Sequence, residues 1–326
     1  MPSPNSVFTE MVTTTFRNHS GKLTDNVSKH NALYSRLKKK GNIKNKTGGI
    51  SIVQELDYAE NGTYQRYSGY DTLNTNASDV MSAAEYPWAQ VALHVTASGR
   101  ELRMNSGKEA MINLVKSRVT NAMRTAANQF SIDLYSTGAL TNQINGLGAL
   151  VTAAGTGTVG GIDSSVYTFW KNKFTEIGGT NAYTATTELP TNIVAGMNKL
   201  WLQTTRGSDK TDLIVLTHDF YVGYEGSLQQ LQRYASSDMA SAGFESLKFK
   251  SADVIFDDNT TFTTTSETGY FLNTDYLFLT QHPDAQWSQD EDKIPINQDA
   301  VVVPIYWMGQ LVCSNRSLQG RLIDAA

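Results

Sequence analysis

The sequence predicts an α+β protein built around one long helix. Three observations lead to this prediction. An amphipathic stretch at Ser106–Tyr135 has helical spacing, a β-rich region precedes it between Gly48 and Met104, and a compact set of helices and strands follows it. We therefore expect a helical spine with a sheet lying across it.

The central stretch has the start, the apolar stripe and the end of a single helix. Ser106 and Glu109 form an S-x-x-E capping box, in which each side chain bonds the backbone amide of the other residue, and Gly138 marks the end. A helix of this length is about 43 Å long, which exceeds the width of a typical small domain. An ordinary helix in a bundle is the alternative. The apolar stripe consists of Met111, Leu114, Val115, Val119, Ala122, Met123, Ala126, Phe130 and Leu134.

Length and composition limit the class of protein. A chain of 326 residues forms one large or two ordinary domains. No apolar run approaches the roughly 20 residues of a spanning helix, and the N-terminus lacks a signal-peptide pattern, so we expect a soluble protein without a membrane partner. Cys313 is the only cysteine, which excludes a disulfide framework and indicates a reducing compartment during folding. No histidine pair has the HExxH spacing of a zinc site among His19, His30, His94, His218 and His282.

Charge is distributed unevenly along the chain. Residues 1–46 hold nine Lys or Arg and two acids, a net charge of +7, whereas the whole chain has −4 and the remainder therefore −11. This first segment contains few apolar residues, so it cannot bury enough surface to fold alone. We expect a basic arm that lies on a partner, with a solvated tail as the alternative.

The region before the spine predicts a long two-stranded ribbon. Apolar and polar residues alternate imperfectly across 50–56, and Asn61-Gly62 is a hairpin turn signal. Trp88–Val95 supplies the apolar positions of a second strand, and the polar segment 71–87 between them is predicted as a loop. Because a two-stranded ribbon is only marginally stable in water, we expect this one to lie on a neighbour.

A glycine-rich tract follows the spine. Gly155-x-Gly157-x-x-Gly160 matches the dinucleotide-binding fingerprint, and Gly146–Val151 supplies a candidate strand before it. Glu176 stands at the distance of the ribose-binding acid, but the residues after it are small and polar where the fingerprint requires a second parallel strand. We therefore favour a loop with turns over a nucleotide site.

The next part of the chain predicts a compact α/β unit with its own core. Helices are expected at about Thr191–Thr204 and Asp219–Tyr234. The strand Leu213–Thr217 between them is apolar on both faces and therefore central to a sheet. The final stretch, Ala300–Arg316, is a long strand or strand pair that we expect to return to the sheet beside the spine. Short strands are expected at Val254–Phe256, Gly269–Leu272 and Tyr276–Leu279.

The search for an active site assigns no residue. His218 and Asp219 form a candidate acid–base pair, but Asp219 has a position typical of a helix N-cap, which we favour. Asp257-Asp258 and Asp290-Glu291-Asp292 are candidate cation ligands, but the turn residues around them favour solvated loops. No G-x-S-x-G or GK[ST] motif is present. We therefore predict no catalytic, cofactor-binding or metal-binding residue, and no enzymatic activity.

The order of these parts resembles the major capsid (coat) protein of tailed bacteriophages, a fold of the Hong Kong bacteriophage type that encapsulins share. The glycine tract, with Gly161-Ile-Asp163 and Trp170-Lys-Asn172, is similar to the podovirus branch of these proteins. On this resemblance, the chain divides into an N-arm (1–46), an extended β-hairpin loop (47–105), a peripheral domain with the spine helix and a sheet (106–154), an axial α/β domain (155–299) and a C-terminal return to the peripheral domain (300–326).

The resemblance implies a structural protein that self-assembles through pentamers and hexamers into the icosahedral shell of a virion, around double-stranded DNA held by non-specific contacts. It implies assembly in the host cytoplasm, with a portal and, in some shells, a cement protein as partners. No long scaffolding extension precedes the arm, so we expect a separate scaffolding protein or a chain already processed. We also expect Lys38-Lys39-Lys40 to lie on the inner face of the shell or on an acidic neighbour.

Two alternatives remain open from the sequence. An encapsulin-like compartment has the same fold and encloses an enzyme instead of nucleic acid. A monomeric α/β binding or enzymatic domain rests only on His218 and the glycine tract.

Overall fold

The computed structural model describes residues 31–104, 108–177, 189–228, 246–257, 268–289 and 297–324. Its helices are α1 (Ala32–Lys40), α2 (Gly99–Met104), α3 (Lys108–Tyr135), α4 (Leu147–Leu150), α5 (Leu189–Thr204) and α6 (His218–Leu228). Its strands are β1 (Ile43–Asn45), β2 (Ser51–Asp57), β3 (Met81–Pro87), β4 (Ala89–Ser98), β5 (Thr158–Val159), β6 (Ile162–Asp163), β7 (Lys173–Ile177), β8 (Leu213–Leu216), β9 (Ser246–Phe249), β10 (Ala252–Phe256), β11 (Thr268–Leu272), β12 (Leu277–Gln289), β13 (Ala300–Cys313) and β14 (Gly320–Asp324). Short 3-10 turns lie at Thr168–Trp170, Thr274–Tyr276 and Arg316–Leu318.

The predicted spine helix is confirmed as α3, which runs from Lys108 to Tyr135. One face of the helix packs on a sheet, as the apolar stripe predicts. The predicted capping box lies outside the described residues, because Ser106 falls between the segments that end at Met104 and begin at Lys108. The buried side chains of the helix–sheet contact are Val95, Ala97, Val119, Ala122, Met123, Ala126, Val301, Val303 and Ile305.

The sheet across the spine has four strands in the order β1-β12-β13-β4. β13 pairs antiparallel with β4 from Ala300↔Ser98 to Gly309↔Ala89, and with β12 on its other side. The predicted return of the C-terminal strand to the spine sheet is thus confirmed. Alternate residues of β13 are buried against the spine, which sets the face and register of the strand.

A second sheet forms the α/β unit, with six strands in the order β7-β14-β11-β8-β10-β9. β8 is central, as predicted, and all four of its residues are buried. Leu213 and Val215 face a core that includes the end of the spine, whereas Ile214 and Leu216 face helices α5 and α6. Because the strand is covered on both sides, it has no polar face. The part of α6 predicted beyond Leu228 lies outside the described residues.

Two strands lie in a different sheet from the one that the predicted domain boundaries assign to them. The predicted axial segment 155–299 includes β12, which instead pairs with β13 in the spine sheet. The predicted C-terminal return 300–326 includes β14, which instead pairs with β7 and β11 in the six-stranded sheet. An apolar pattern indicates that a segment is a strand but not which strand is its partner. The remaining domain boundaries stay predictions.

The ribbon before the spine exists, but its second strand is not the one predicted. β2 pairs antiparallel with β3, from Ser51↔Pro87 to Asp57↔Met81, within a segment predicted as a loop. The predicted second strand, Trp88–Val95, belongs mostly to β4 in the spine sheet. Ala84 and Tyr86 are the only buried residues of β3, so its apolar alternation is too short to be recognised from sequence. Asn61-Gly62 forms a local turn, whereas residues 58–80 connect the strands.

The glycine tract forms turns, which is the interpretation that the sequence favours. The candidate strand at Gly146–Val151 is wrong, because the short helix α4 lies there. Gly160 and Gly161 connect β5 to β6 with φ angles of +59° and +77°. A two-residue hairpin of this kind requires left-handed backbone at both positions, which glycine adopts without strain. Glu176 lies within β7 with its side chain exposed, and the described tract contains no strand–turn–helix arrangement for a dinucleotide.

Candidate functional site

His218 and Asp219 do not form a buried acid–base pair. Their closest side-chain atoms, Nδ1 and Oδ1, are 3.3 Å apart, and both side chains are mostly exposed, at 72% and 65%. The helix begins at His218, so Asp219 lies in the first turn and not at the predicted N-cap position. An acid in the first turn favours the helix through its dipole, which explains this residue without catalysis.

The predicted acidic clusters do not form a metal site in the described residues. Asp257 accepts a hydrogen bond of 2.7 Å from Tyr135 Oη at the end of the spine. Asp258 and Asp290-Glu291-Asp292 lie outside the described segments. Across the described part of the chain, no group of three or more His, Cys, Asp or Glu has the arrangement of a metal site. None of the helices described is long and apolar enough to cross a membrane.

The ribbon, defined as β2, β3 and the connecting residues 58–80, holds most of the strongly exposed tyrosines in the described part of the chain. Its base consists of β2 and β3, and one face of this base packs on the body of the protein through Ile52, Leu56, Ala84 and Tyr86. Tyr86 Oη donates a hydrogen bond of 3.0 Å to the Cys313 carbonyl, and burial raises the pKa of this tyrosine. The base is therefore fixed on its own chain, which corrects the expectation that the whole ribbon lies on a neighbour.

The tip of the ribbon, residues 59–79, has a different environment. Tyr64 and Tyr67 are 83% and 65% exposed, and Tyr70 and Leu73 are also exposed. These four large side chains lie within ten residues of the chain, so exposed apolar surface is concentrated in this one loop. The tip therefore presents aromatic surface that its own body leaves uncovered.

Hydrogen bonds within the tip hold its shape. Asn61 Oδ1 accepts from the Thr63 amide at 3.0 Å and from the Ser78 hydroxyl at 3.1 Å, which joins the two sides of the tip. Gln65 spans the same gap, because its Nε2 donates to the Thr72 carbonyl at 3.1 Å. These contacts are all local to the ribbon, so the tip is preorganised without support from the body.

The described end of the basic arm packs on its own chain. α1 begins at the N-cap Asn31, whose Oδ1 accepts from the Tyr34 amide at 2.8 Å and whose Nδ2 donates to Ser131 of the spine at 2.9 Å. Leu33 and Leu37 are fully buried in the body. The expectation that the whole arm needs a partner is therefore wrong for residues 31–46, and it stays a prediction for residues 1–30, which lie outside the described residues.

Ion pairs hold α1 against the α/β unit, in a group that we call the clasp: Arg36, Lys40, Asp212, Asp253 and Asp275. Asp212 accepts from Arg36 Nε at 3.1 Å and from Lys40 Nζ at 3.0 Å, and Lys40 also contacts Asp275 at 2.6 Å. Lys40 therefore pairs with acids of its own chain and not with the expected acidic neighbour, whereas the expected placement of Lys38-Lys39-Lys40 on the inner face stays a prediction.

The Asp212 carboxylate is partly buried within the clasp. Burial by itself raises the pKa of Asp212, but hydrogen bonds from the Thr274 amide and hydroxyl, at 2.7 and 2.6 Å, and the Lys40 ammonium outweigh it. The pKa of Asp212 is therefore lowered, and the carboxylate stays ionised at neutral pH.

A second capping box, missed in the sequence, lies between the spine sheet and the spine. Ser98 and Glu101 form the S-x-x-E pattern at the start of α2: the Ser98 amide donates to Glu101 Oε2 at 3.1 Å, and the Glu101 amide donates to Ser98 Oγ at 3.3 Å. Arg118 of the spine donates to Glu101 Oε1 at 2.6 Å and to the Thr96 carbonyl. Arg118 and Ser98 together lower the pKa of Glu101 to about 2.

Arg316, which sequence reasoning also missed, is buried near the C-terminus, and no carboxylate of the described segments pairs with it. Its Nε donates to the Leu150 carbonyl at 2.6 Å, and Nη1 donates to the Trp170 carbonyl at 3.1 Å. Nη2 donates to Asn172 Oδ1 at 2.8 Å and to the Thr152 hydroxyl at 3.2 Å. Burial lowers the pKa of this guanidinium. Arg316 thus joins the C-terminal segment to both ends of the glycine tract.

Comparison with known proteins agrees with this architecture. No family model matches the chain, and no curated protein matches it. Among solved structures, the capsid asymmetric unit of cyanophage A-1(L) is similar with a TM-score of 0.56 and 15% identity, over 87% of this chain and 90% of that chain. The capsid of Myoviridae phage XM1 is similar with a TM-score of 0.54 and 14% identity, over 89% and 92%.

The encapsulin SrpI from Synechococcus elongatus PCC 7942 is similar as well, with a TM-score of 0.52 and 9% identity, over 88% of this chain and 86% of that chain. The podovirus branch stays a prediction. At these identities the likeness concerns the fold, and it agrees with the order of arm, ribbon, spine and α/β unit seen here. The chain therefore has the tailed-phage major capsid fold, which it shares with an encapsulin.

Proposed function

We propose that this chain is a major capsid protein, which assembles through pentamers and hexamers into the icosahedral shell around the double-stranded DNA of a tailed bacteriophage. The observation that carries the proposal is the exposed aromatic tip of the ribbon, on a chain with this fold. Tyr64, Tyr67 and Tyr70 are exposed on a tip that is hydrogen-bonded within itself. A second copy of the chain supplies the surface that buries them.

Burial of the tip contributes favourably to assembly. A large apolar side chain contributes about 1.5–3 kcal/mol when it is fully buried. Three tyrosines per copy then contribute several kcal/mol, which is offset in part by the loss of translational and rotational freedom. Because the tip is already ordered by Asn61 and Gln65, little further entropy is lost when it docks.

The finer parts of the proposal follow the resemblance. A separate scaffolding protein, a portal and, in some shells, a cement protein are the proposed partners, and assembly takes place in the host cytoplasm before the shell becomes part of the virion. DNA is held by non-specific contacts on an acidic body. No enzymatic activity or cofactor is proposed, since neither exposed His218 nor the glycine turns offer a built site.

The test compares two sets of surface substitutions in the full chain. Tyr64→Ser/Tyr67→Ser/Tyr70→Ser removes the aromatic patch of the tip, and Leu202→Ser/Val222→Ser removes exposed apolar residues of the α/β unit as a matched control. Light scattering and electron microscopy are expected to show shells for the wild type and the control and only small species for the tip variant. A wild type that stays monomeric at all concentrations, with and without crowding agents, contradicts the proposal.

An encapsulin-like compartment is a second candidate, since an encapsulin shares the fold over 88% of this chain. The contents of purified particles separate the two functions. Nuclease-protected double-stranded DNA in particles from infected cells supports the capsid, whereas a single enclosed protein without nucleic acid supports the compartment.

A further inference from the structure

The glycine hairpin lies directly under the base of the ribbon. The hairpin consists of β5, β6 and the glycines between them, and the Gly160 carbonyl accepts a hydrogen bond of 2.9 Å from the Glu85 amide of β3. A Cβ added at Gly160 would lie 2.8 Å from the Ala84 Cβ and 3.2 Å from the Tyr86 ring. The ribbon therefore approaches this turn as closely as a glycine permits.

A second contact between the same parts lies nearer the tip. The Tyr58 ring, at the end of the ribbon base, stacks on Phe169 with centroids 5.3 Å apart and planes inclined by 28°. Phe169 belongs to the turn that ends at Trp170, and Trp170 Nε1 donates to the Val159 carbonyl of the glycine hairpin at 2.9 Å. The two contacts thus come from one connected piece of structure.

We propose that Gly160 and Phe169 form a seat that sets the direction in which the ribbon tip leaves the body. The packing of Ile52 and Leu56 and the hydrogen bond from Tyr86 to Cys313 hold the base on the body. The contacts at Gly160 and Phe169 lie at two separate points along the ribbon, so together they constrain the angle at which the tip leaves the base. The proposal rests on the proposed function, because the direction of the tip matters only if the tip has to reach a second copy. It gives the glycine tract a role in positioning, in place of the rejected role in nucleotide binding.

The geometry gives the size of the effect. Ala84 and the pairing of Tyr58 with Val80 are four residues apart along β3, which is about 13 Å. Relief of the close contact at Gly160 requires a shift of about 0.7 Å, because the added Cβ would lie 2.8 Å from the Ala84 Cβ and ordinary carbon contacts begin near 3.5 Å. The ribbon then tilts by about 3°, and a tip that extends at most about 33 Å beyond the base moves by roughly 2 Å.

Adjacent glycines of one turn provide a matched pair of variants. Gly160→Ala and Gly161→Ala both place alanine in left-handed backbone, at φ of +59° and +77°. A Cβ at Gly161 would have no atom within 4 Å. Gly161→Ala therefore introduces the backbone strain of a left-handed alanine but no close contact with the ribbon. Any difference between the two variants therefore comes from the seat.

The readout is the distance from tip to body in the unassembled full chain, measured by pulsed electron spin resonance between labels at Ser68→Cys and Lys210→Cys. Both positions are exposed, and the native Cys313 is fully buried, so it does not react in the folded protein. We expect Gly160→Ala to shift the mean distance by roughly 2 Å or to broaden the distribution, and Gly161→Ala to match the wild type. Adding Ala84→Gly to Gly160→Ala should return the distance toward the wild type, because it removes the closest opposing atom.

Phe169→Ala provides a second test that does not depend on the turn. We expect it to broaden the distance distribution. Tyr167→Ala removes a ring that meets Phe169 edge-on, with centroids 6.2 Å apart, and leaves the Phe169 ring that stacks on Tyr58, so the distribution should stay narrower than for Phe169→Ala. Equal distributions for Gly160→Ala and Gly161→Ala, or an unchanged distribution for Phe169→Ala, overturn the seat. Shell formation is scored separately: a wild type that never assembles overturns the proposed function, while the distances still decide the seat.

Discussion

Replacing Arg316 by methionine tests whether this buried cation supports the body of the protein. Methionine fills a similar volume but has no donor, so the Leu150 and Trp170 carbonyls lose the hydrogen bonds at 2.6 and 3.1 Å. Within the described residues neither carbonyl has another donor. The Asn172 side-chain oxygen is less affected, because the Thr152 amide still donates to it at 3.2 Å.

The magnitude follows from the number of acceptors left unpaired. A buried polar group without a partner costs about 1–3 kcal/mol, so two carbonyls predict a loss of about 2–6 kcal/mol in the free energy of unfolding. Arg316→Lys should fall between the wild type and Arg316→Met, because lysine keeps the charge but cannot contact four acceptors in one plane.

Urea unfolding of the unassembled chain, followed by tryptophan fluorescence, measures this loss, and Trp170 reports directly from the site. Arg321→Met is the matched control, since Arg321 is only partly buried, makes a long hydrogen bond of 3.4 Å to Thr268 and lies 5.3 Å from the centre of the Tyr270 ring. We expect it to change stability by about 1 kcal/mol or less. An Arg316→Met chain that unfolds no earlier than the Arg321→Met chain refutes the role assigned to Arg316.

Three further predictions concern the contacts between segments. Asp212→Asn should destabilise the chain by about 1–3 kcal/mol at pH 7. Because the pKa of Asp212 is lowered in the fold, this contribution is complete above its unfolded pKa of about 3.9 and disappears as the pH falls through the lower folded value, so urea midpoints of variant and wild type should converge in acid. Carbon-13 detected titration should find the pKa of Glu101 at about 2, and Arg118→Met should move it toward its ordinary value; a pKa that ignores this substitution contradicts the contact. Tyr135→Phe removes the hydrogen bond to Asp257 between the spine and the six-stranded sheet, and should cost about 1–2 kcal/mol in urea unfolding; an unchanged urea midpoint contradicts this contribution.

Periodic patterns in the sequence predicted the helices and strands that have apolar residues along their whole length. The spine α3 has an apolar residue at every turn, and β8 is apolar at each of its four positions, so both were recognisable without a partner. The return of β13 was predictable for a related reason: its long apolar run needs a core that only the spine region leaves available. The Ser98–Glu101 capping box has the same pattern as the predicted one and was equally visible in the sequence.

Features that depend on distant residues were not predictable. β3 has only Ala84 and Tyr86 on its buried face, and what makes it a strand is its pairing with β2 above the glycine hairpin. Arg316 has the composition of a surface position, and nothing local indicates that two carbonyls from the glycine tract surround it. Lys40 belongs to a basic run typical of a solvated face, yet the acids that bind it come from positions more than 170 residues away.

The sequence by itself determined where the spine helix, the helices of the α/β unit and the buried strands β8 and β13 lie, that the chain has no recognisable catalytic motif, and that its order of parts resembles a shell protein. The tertiary structure alone decided which strands pair, that the base of the ribbon and the end of the arm rest on the same chain, and that the tip remains uncovered. The reason is physical: backbone periodicity and capping act over a few residues and are written in local order, whereas pairing and burial depend on surfaces that meet only after folding.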